Sequence, residues 1–427
     1  MSTSWQVERL RSLAQVNPAT RIPRKGQLDF FPMEALVEGG GLARGHSKDV
    51  SEAGGYSQFV NGDVLFAKVT PCFENRKCAL ADGLERGVGL ATTEVSVFRP
   101  SRRILPEFLL YRLQAFDFQE FGVNAMRGVG GLKRVPDRMV GDFELRLPPL
   151  PEQRRIVAFI ERELALFAER REAHERKKAV LAEAKQALRE AIAFGRLRPG
   201  DARSPSEEPW HGEVPSHWGM DRLGNLFREA AELGYADLPV LSVSIHSGIS
   251  DREMADEPGS RKVSRSEDRG IYKRVEPLDL VYNQMRAWQG GFGVASVEGL
   301  VSPAYVVARP RRRVVPAYVE HVLRSPSGIE EMRRRSRGII DFRLRLYWDE
   351  FKDIRIPLPP IEEQSAIAAD IDAKLDMVDR QIVLLEKSQE GLALQRNALI
   401  HEAVTGALAP AVMGRAVPTK PGAACAV

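Results

Sequence analysis

The chain has 427 residues, 43% hydrophobic and 28% charged, with a formal net charge of +4. That balance suits a folded protein of two or three domains and excludes a disordered chain. No apolar run approaches the roughly 20 residues that span a bilayer, the start MSTSWQVERLRSL has no export-signal pattern, and Cys72, Cys78 and Cys425 form no CxxC pair, so a reducing, cytoplasmic setting without disulfides or zinc is expected.

In chain order, residues 1–148 alternate short apolar stretches with turn residues. DVLFAKV and EVSVFRP read as strands. PEFLLYRLQAF opens with proline before a helical pattern, which suits a first helical turn. At PPLPEQRRIVAFIERELALFAE, residues 148–169, a long helix begins. Ile160, Phe167, His174, Leu181 and Leu188 recur every seven positions, with Leu164 and Ile192 between them. This is a coiled-coil seam over 149–197, in which His174 is a tolerated polar residue that helps set register. Residues 198–209 read as a linker.

The pattern then starts again. Residues 210–358 carry the strands DLVYNQM and AYVVARP and the proline-led helix PAYVEHVLRS. PLPPIEEQSAIAADIDAKLDMVD opens a second long helix over 359–409. Its seam is Ile371, Val378, Leu385, Leu392 and Leu399, with Leu375 and Ile382 between. The tail 410–427 is rich in Ala, Pro and Gly, and is expected to be unstructured. Several segments match at a nearly constant offset: Leu90–Pro100 with Leu300–Pro310, and Arg127–Val135 with Arg337–Arg345. Such spacing marks a tandem repeat. The expected fold is therefore α+β: two globular domains separated by two long antiparallel helices that form a coiled coil, with a pseudo-two-fold internal repeat.

Catalytic signatures are missing. There is no GxxxxGK[ST] loop, HExxH or GxSxG elbow. GGFGVAS (Gly290–Ser296) reads as a hairpin turn rather than a dinucleotide loop. The acidic pairs Asp63/Glu74 and Asp341/Asp349 read as solvated or capping residues, not a nuclease centre. The histidines have no metal-ligand spacing. No catalytic residue and no metal site are expected. From Arg309 to Arg345, by contrast, there are 11 arginines against 4 acidic residues. A locally basic segment of this kind points to a polyanion partner.

The two proline-EQ motifs, each followed by a heptad helix ending in EAIAFGRL or EAVTGAL, resemble the specificity subunits of type I restriction–modification systems. The openings WQVERL and VPSHWGMDRLGNL resemble the starts of that family's target recognition domains. The resemblance covers about residues 1–409 and implies that each globular domain reads one half of a split DNA site. It implies that the paired helices act as a spacer and bind methyltransferase subunits, which carry S-adenosylmethionine. Motor-nuclease subunits using ATP and magnesium would join that core, and this chain would bind no cofactor itself. Glu152-Gln153 and Glu363-Gln364 would be structural. One departure is that Arg171, Lys178 and Lys185 sit in the first helix seam, where their stems can snorkel towards partners.

Arg and Lys bind phosphate, while Asn and Gln pair with adenine and Arg with guanine. On that basis the DNA-binding candidates of the first domain are Lys68, Thr70, Asn75, Arg76 and Lys77 in one loop, and Arg127, Lys133 and Arg134 in another. Gly128, Gly130 and Gly131 would let that second loop approach DNA closely. The second domain offers Asn283, Gln284, Arg286 and Gln289, then Arg333, Arg335, Arg337, Arg343 and Arg345. Trp288 suits either core packing or base stacking. Two other readings compete: a coiled-coil scaffold that never reads DNA, and the recognition part of a bifunctional restriction–methylation enzyme.

Overall fold

The computed structural model describes residues 5–43, 45–129, 131–198, 200–245, 248–250, 269–338, 344–408 and 413. The chain divides into two units, Met1–His174 with Glu386–Val427, and Glu175–Leu385. The division does not follow the six successive segments read from the sequence. It cuts both long helices, Leu150–Ala193 and Ile361–Thr405. Each unit therefore holds a globular part, the start of one long helix and the end of the other. The tail lies outside the described residues apart from Met413. None of the helices among the described residues is long and apolar enough to cross a membrane.

The first unit is built on a four-stranded antiparallel sheet in the order Ala14–Val16, Val95–Pro100, Val64–Ala67, Cys78–Leu80. Its central strands are apolar on both faces because a helix layer covers one side and a second sheet the other. Pro106–Gln114 and Phe116–Ala125 supply the helices, and Phe66, Phe108 and Phe118 are buried between. The second sheet is His46–Asp49, Gln27–Phe31, Val88–Ala91, Ser57–Val60, with one parallel pair at Gln27–Phe31 and Val88–Ala91. On the helical side, Ile156, Phe159 and Ile160 share a core with Ile400, Ala403 and Val404, the start of one long helix with the end of the other.

The second unit has the same central order: Phe227–Ala230, Tyr305–Pro310, Leu280–Asn283, Phe292–Val294, all antiparallel. Helices Pro316–Arg324 and Pro326–Arg335 cover it. Here Ile192 and Phe194 share a core with Ile367, Ile371 and Leu375. Lys185 and Asp379 form an ion pair at 2.6 Å between the two long helices. The stretch read as a linker is partly ordered structure. Arg203–Pro205 pairs with Glu213–Pro215, and Trp210 lies edge-on to Phe194 at 5.9 Å.

Along the first long helix, Ile160 and Ile192 are buried, and Leu164, Phe167, His174, Lys178, Leu181, Lys185 and Leu188 are half-buried. Arg171 is exposed. On the second, Ile371 and Leu375 are buried, and Val378, Ile382, Leu385, Leu392 and Leu399 half-buried. The imidazole Nδ1 of His174 is buried and has no hydrogen-bond partner among the described residues.

The repeated proline-EQ motif has an atomic explanation. Gln153 is fully buried. Its Oε1 accepts from the Leu105 backbone N–H at 2.8 Å, and its Nε2 donates to the carbonyls of Arg103 at 3.0 Å and Pro148 at 2.9 Å. Leu105 is the residue before the helix Pro106–Gln114. Gln364 does the same work in the second unit. It accepts from Val315 N–H at 2.9 Å and donates to the Pro359 carbonyl at 2.8 Å. An amide offers a two-hydrogen donor and a carbonyl acceptor on separate atoms of one side chain, which matches this set of partners. Glu363, beside it, accepts from His217 Nε2 at 3.0 Å and Trp218 Nε1 at 3.1 Å and pairs with Arg198. Each buried group left without a partner costs about 1–3 kcal/mol. Gln153→Ala should therefore destabilise the first unit by roughly 2–4 kcal/mol in denaturant unfolding. Glu152→Ala, which removes only a partly exposed first-turn carboxylate, should change it by less than about 1 kcal/mol. Equal effects for the two variants would remove the glutamine from this role.

Candidate nucleic-acid interface

The basic segment looks different once its partners are visible. Arg309, its first residue, points inward. Its Nε donates to Asp279 Oδ1 at 3.0 Å and its Nη2 to Oδ2 at 2.9 Å, and Nη1 meets Glu232 at 2.6 Å. Asp279 is 1% exposed and also accepts the Glu276 backbone N–H at 2.8 Å. The first unit repeats the arrangement. Arg99 grips Asp63 at 2.9 and 2.7 Å, and Asp63 accepts from the Val60 N–H at 2.9 Å. Asp63, read from the sequence as a solvated or capping residue, is thus a buried structural anion that accepts a backbone N–H. The hydrogen-bonded carboxylates hold the pKa of Arg99 and Arg309 above the ordinary arginine value. Further along the segment, Arg324 pairs with Glu320 at 2.7 Å, Arg334 and Arg335 with Glu331 at 2.7 and 2.5 Å, and Arg337 with Glu350.

The candidate loops are brought together in each unit. In the first, strand Val64–Ala67 runs into the loop holding Lys68 to Lys77. The Lys68 carbonyl accepts from Val135 N–H at 2.9 Å, and Thr70 N–H donates to the Lys133 carbonyl at 2.9 Å. Arg127 and Arg134 exchange two backbone hydrogen bonds, 2.9 and 2.8 Å, and close a hairpin. In the second unit the Gln284 carbonyl accepts from Leu346 N–H at 2.9 Å. Arg337 and Arg345 exchange two backbone bonds of 2.9 Å. Residues about 60 apart in sequence thus form one surface in each unit.

Within those surfaces the cations divide into two groups. Lys68 is held by Asp137 at 2.9 Å, and Arg134 by Glu94 at 2.6 Å. Arg76, with a positive φ of 52°, stacks over the Phe116 ring at 5.0 Å, and its burial lowers its pKa. Thr70 donates to Glu74 at 3.1 Å, and Asn75 is exposed. Asn283 uses its Oδ1 to accept from Met285 N–H at 2.9 Å, while Gln284 is half-buried and Gln289 exposed. Arg333 lies over the Trp288 ring at 5.8 Å, and Trp288 Nε1 donates to the Met285 carbonyl at 3.1 Å. Among the described residues no carboxylate pairs with Lys77, Arg127, Lys133, Arg286 or Arg345. Arg343 and Gly130 lie outside the described residues. Gly128 has φ +134°, and a Cβ there would stand 2.5 Å from the Leu132 carbonyl oxygen. Hairpin closure already requires glycine at that position. Gly290 likewise ends a tight turn with φ +90°, and the strand Phe292–Val294 follows.

The sequence reading missed the buried Asp–Arg pairs, although the aspartate before each apolar run and the Arg-Pro ending each later strand were visible signals. Removing one partner of such a pair leaves an uncompensated buried charge, at about 3–5 kcal/mol. Asp279→Ala should therefore lower the unfolding free energy of the second unit by that order, read in denaturant melts. Asp349→Ala, at an exposed position, should leave the melt essentially unchanged.

Comparison with known proteins adds the context. No protein-family model matches the chain. It is 29% identical over 300 residues to the Type I restriction enzyme EcoAI specificity subunit of Escherichia coli, a stretch covering 67% of this chain and 48% of that protein. It is 26% identical over 300 residues to the EcoEI specificity subunit of the same organism, with the same coverage. The chain thus spans about half the length of these relatives. It has the fold of the HsdS subunit from Thermoanaerobacter tengcongensis, with TM-score 0.52, 22% identity, and 96% and 98% of the two chains covered. A chain from a structure of a type I R-M system, solved for its complex assembly and conformational transition, superposes with TM-score 0.65 at 22% identity, covering 96% and 99% of the two chains.

Proposed function

We propose that this chain is the DNA-specificity subunit of a type I restriction–modification complex. The observation that carries the reading is the twinned surface, in which a loop after the central strand is bonded to an arginine-closed hairpin in each unit. Two such surfaces on one chain suit a DNA site in two halves, with one globular domain reading each. The relatives are specificity subunits, which supports the same assignment. In this proposal the chain is a tandem repeat, and the long helices pair antiparallel as a coiled coil that sets the distance between half-sites. Exposed aliphatic residues on those helices, Leu166 and Val180 on one and Met377, Leu384 and Leu394 on the other, suit methyltransferase subunits docking there. The chain supplies recognition and no catalytic group. Methyl transfer from S-adenosylmethionine belongs to the methyltransferase subunits, and ATP-driven cleavage with magnesium to motor-nuclease subunits. The complex would act in the cytoplasm on double-stranded DNA.

Arg286→Ala and Arg337→Ala should each weaken DNA binding by the assembled complex, by roughly 1–3 kcal/mol where the side chain reaches a base edge. Binding titrations at several salt concentrations check this. Phosphate contacts give a steep salt slope, which a pure scaffold would lack. Unchanged affinity and sequence preference would take both residues off the surface.

The spacer role has its own test. Seven residues inserted after Glu169, with seven more after Ala393, add about 10 Å of helix to each rod. The gap between half-sites should lengthen by about three base pairs. Mapping methylated positions in cellular DNA reads the gap, and an unaltered one would rule out a ruler.

A further inference from the structure

We propose that the hairpin tip of the first unit reads thymine, with Val129 and Leu132 packing against the 5-methyl group in the major groove. The inference rests on the DNA-reading role proposed above and names the base chemistry that one loop recognises. Val129 is 91% exposed, the most exposed large apolar side chain among the described residues, and Leu132 is 53% exposed. Neither contributes to a core. Both are nevertheless held in a built frame. The two Arg127–Arg134 backbone bonds close the hairpin, the tight φ of Gly128 turns it, and the Thr70 and Val135 backbone bonds tie its base to the neighbouring loop. The frame carries two exposed aliphatic side chains beyond its bonded base.

The surroundings choose the occupant. Arg127 and Lys133 flank the tip, are exposed, and meet no carboxylate among the described residues. A cationic rim around an apolar tip opposes docking of a second copy, which would bring like charges together. It suits a groove walled by phosphates. The major groove, about 12 Å wide, admits a two-stranded ribbon, and the thymine methyl is the apolar feature that the bases present there. Aliphatic contact at that methyl distinguishes thymine from cytosine without a hydrogen bond.

The test uses the full chain in complex with its methyltransferase subunits. The probe is a 40-base-pair duplex carrying the recognition site mapped from methylated cellular DNA. Deoxyuridine replaces thymidine at each position of both half-sites in turn, removing only the methyl group. The unsubstituted protein should lose about fourfold in affinity at one or two positions in one half-site, the Boltzmann equivalent of one buried methyl group at 25 °C. The V129A/L132A variant should bind the thymine duplex more weakly and be indifferent to uracil at those positions. Its melting temperature should not move, since both side chains are exposed. A flat uracil scan with the unsubstituted protein, a variant equally sensitive to uracil, or a recognition site without thymine in either half would overturn the inference. Binding that lacks both sequence preference and a salt slope would instead overturn the DNA-reading role on which it rests.

Discussion

A buried amide at the start of each long helix is the constraint from which the rest follows. Gln153 and Gln364 are almost fully removed from solvent, and each holds a backbone donor from the turn before a covering helix together with carbonyls of its own proline turn. A rod of 44 or 45 residues buries only a narrow stripe, so its direction relative to a globular body needs a specific tether. Hydrophobic contact alone is non-directional. The amide clamp supplies the direction, because an orphaned donor inside the protein costs more than the bond returns. Glutamate at these positions would turn a carboxylate towards carbonyls, and leucine would leave the Leu105 and Val315 N–H groups without an acceptor.

The same economy governs the charges. Asp63 with Arg99, and Asp279 with Arg309, are bidentate pairs whose carboxylates also accept a backbone N–H. Such pairs are poor sources of net stability because both ions lose water, but either partner alone is far worse. They fix the start of one central strand against the end of its neighbour, at the opposite end of those strands from the candidate loop. A count of arginines along the chain cannot separate these internal charges from cations left for a partner. In the second unit much of the apparent basic surplus is held by Glu331, Glu320, Glu350 and Asp279.

The surfaces proposed to read DNA depend on both devices. The clamps set each helix against its globular part, the ion pairs pin the far ends of the central strands, and the loop after each strand is joined by backbone bonds to the hairpin that follows the covering helices. In the proposed role, recognition falls to the side chains that project from these bonded loops.

Much of the fold was legible in the sequence, and the reason is local. Short apolar runs bounded by turn residues placed the strands Val64–Ala67, Val95–Pro100, Leu280–Asn283 and Tyr305–Pro310, and proline-led patterns placed Pro106–Gln114 and Pro316–Arg324. Heptad spacing and the lack of internal proline gave both long helices nearly to their ends. The constant offset between segments was equally plain before any coordinates. Tertiary structure decided which polar atoms meet. Gln153 finds partners 48 and 50 residues away, Arg99 one 36 away, and the hairpin at Arg127–Arg134 joins a loop some 60 residues earlier. Backbone periodicity is written in neighbours, whereas the pairing of a buried charge or amide depends on which distant groups the folded chain brings within 3 Å.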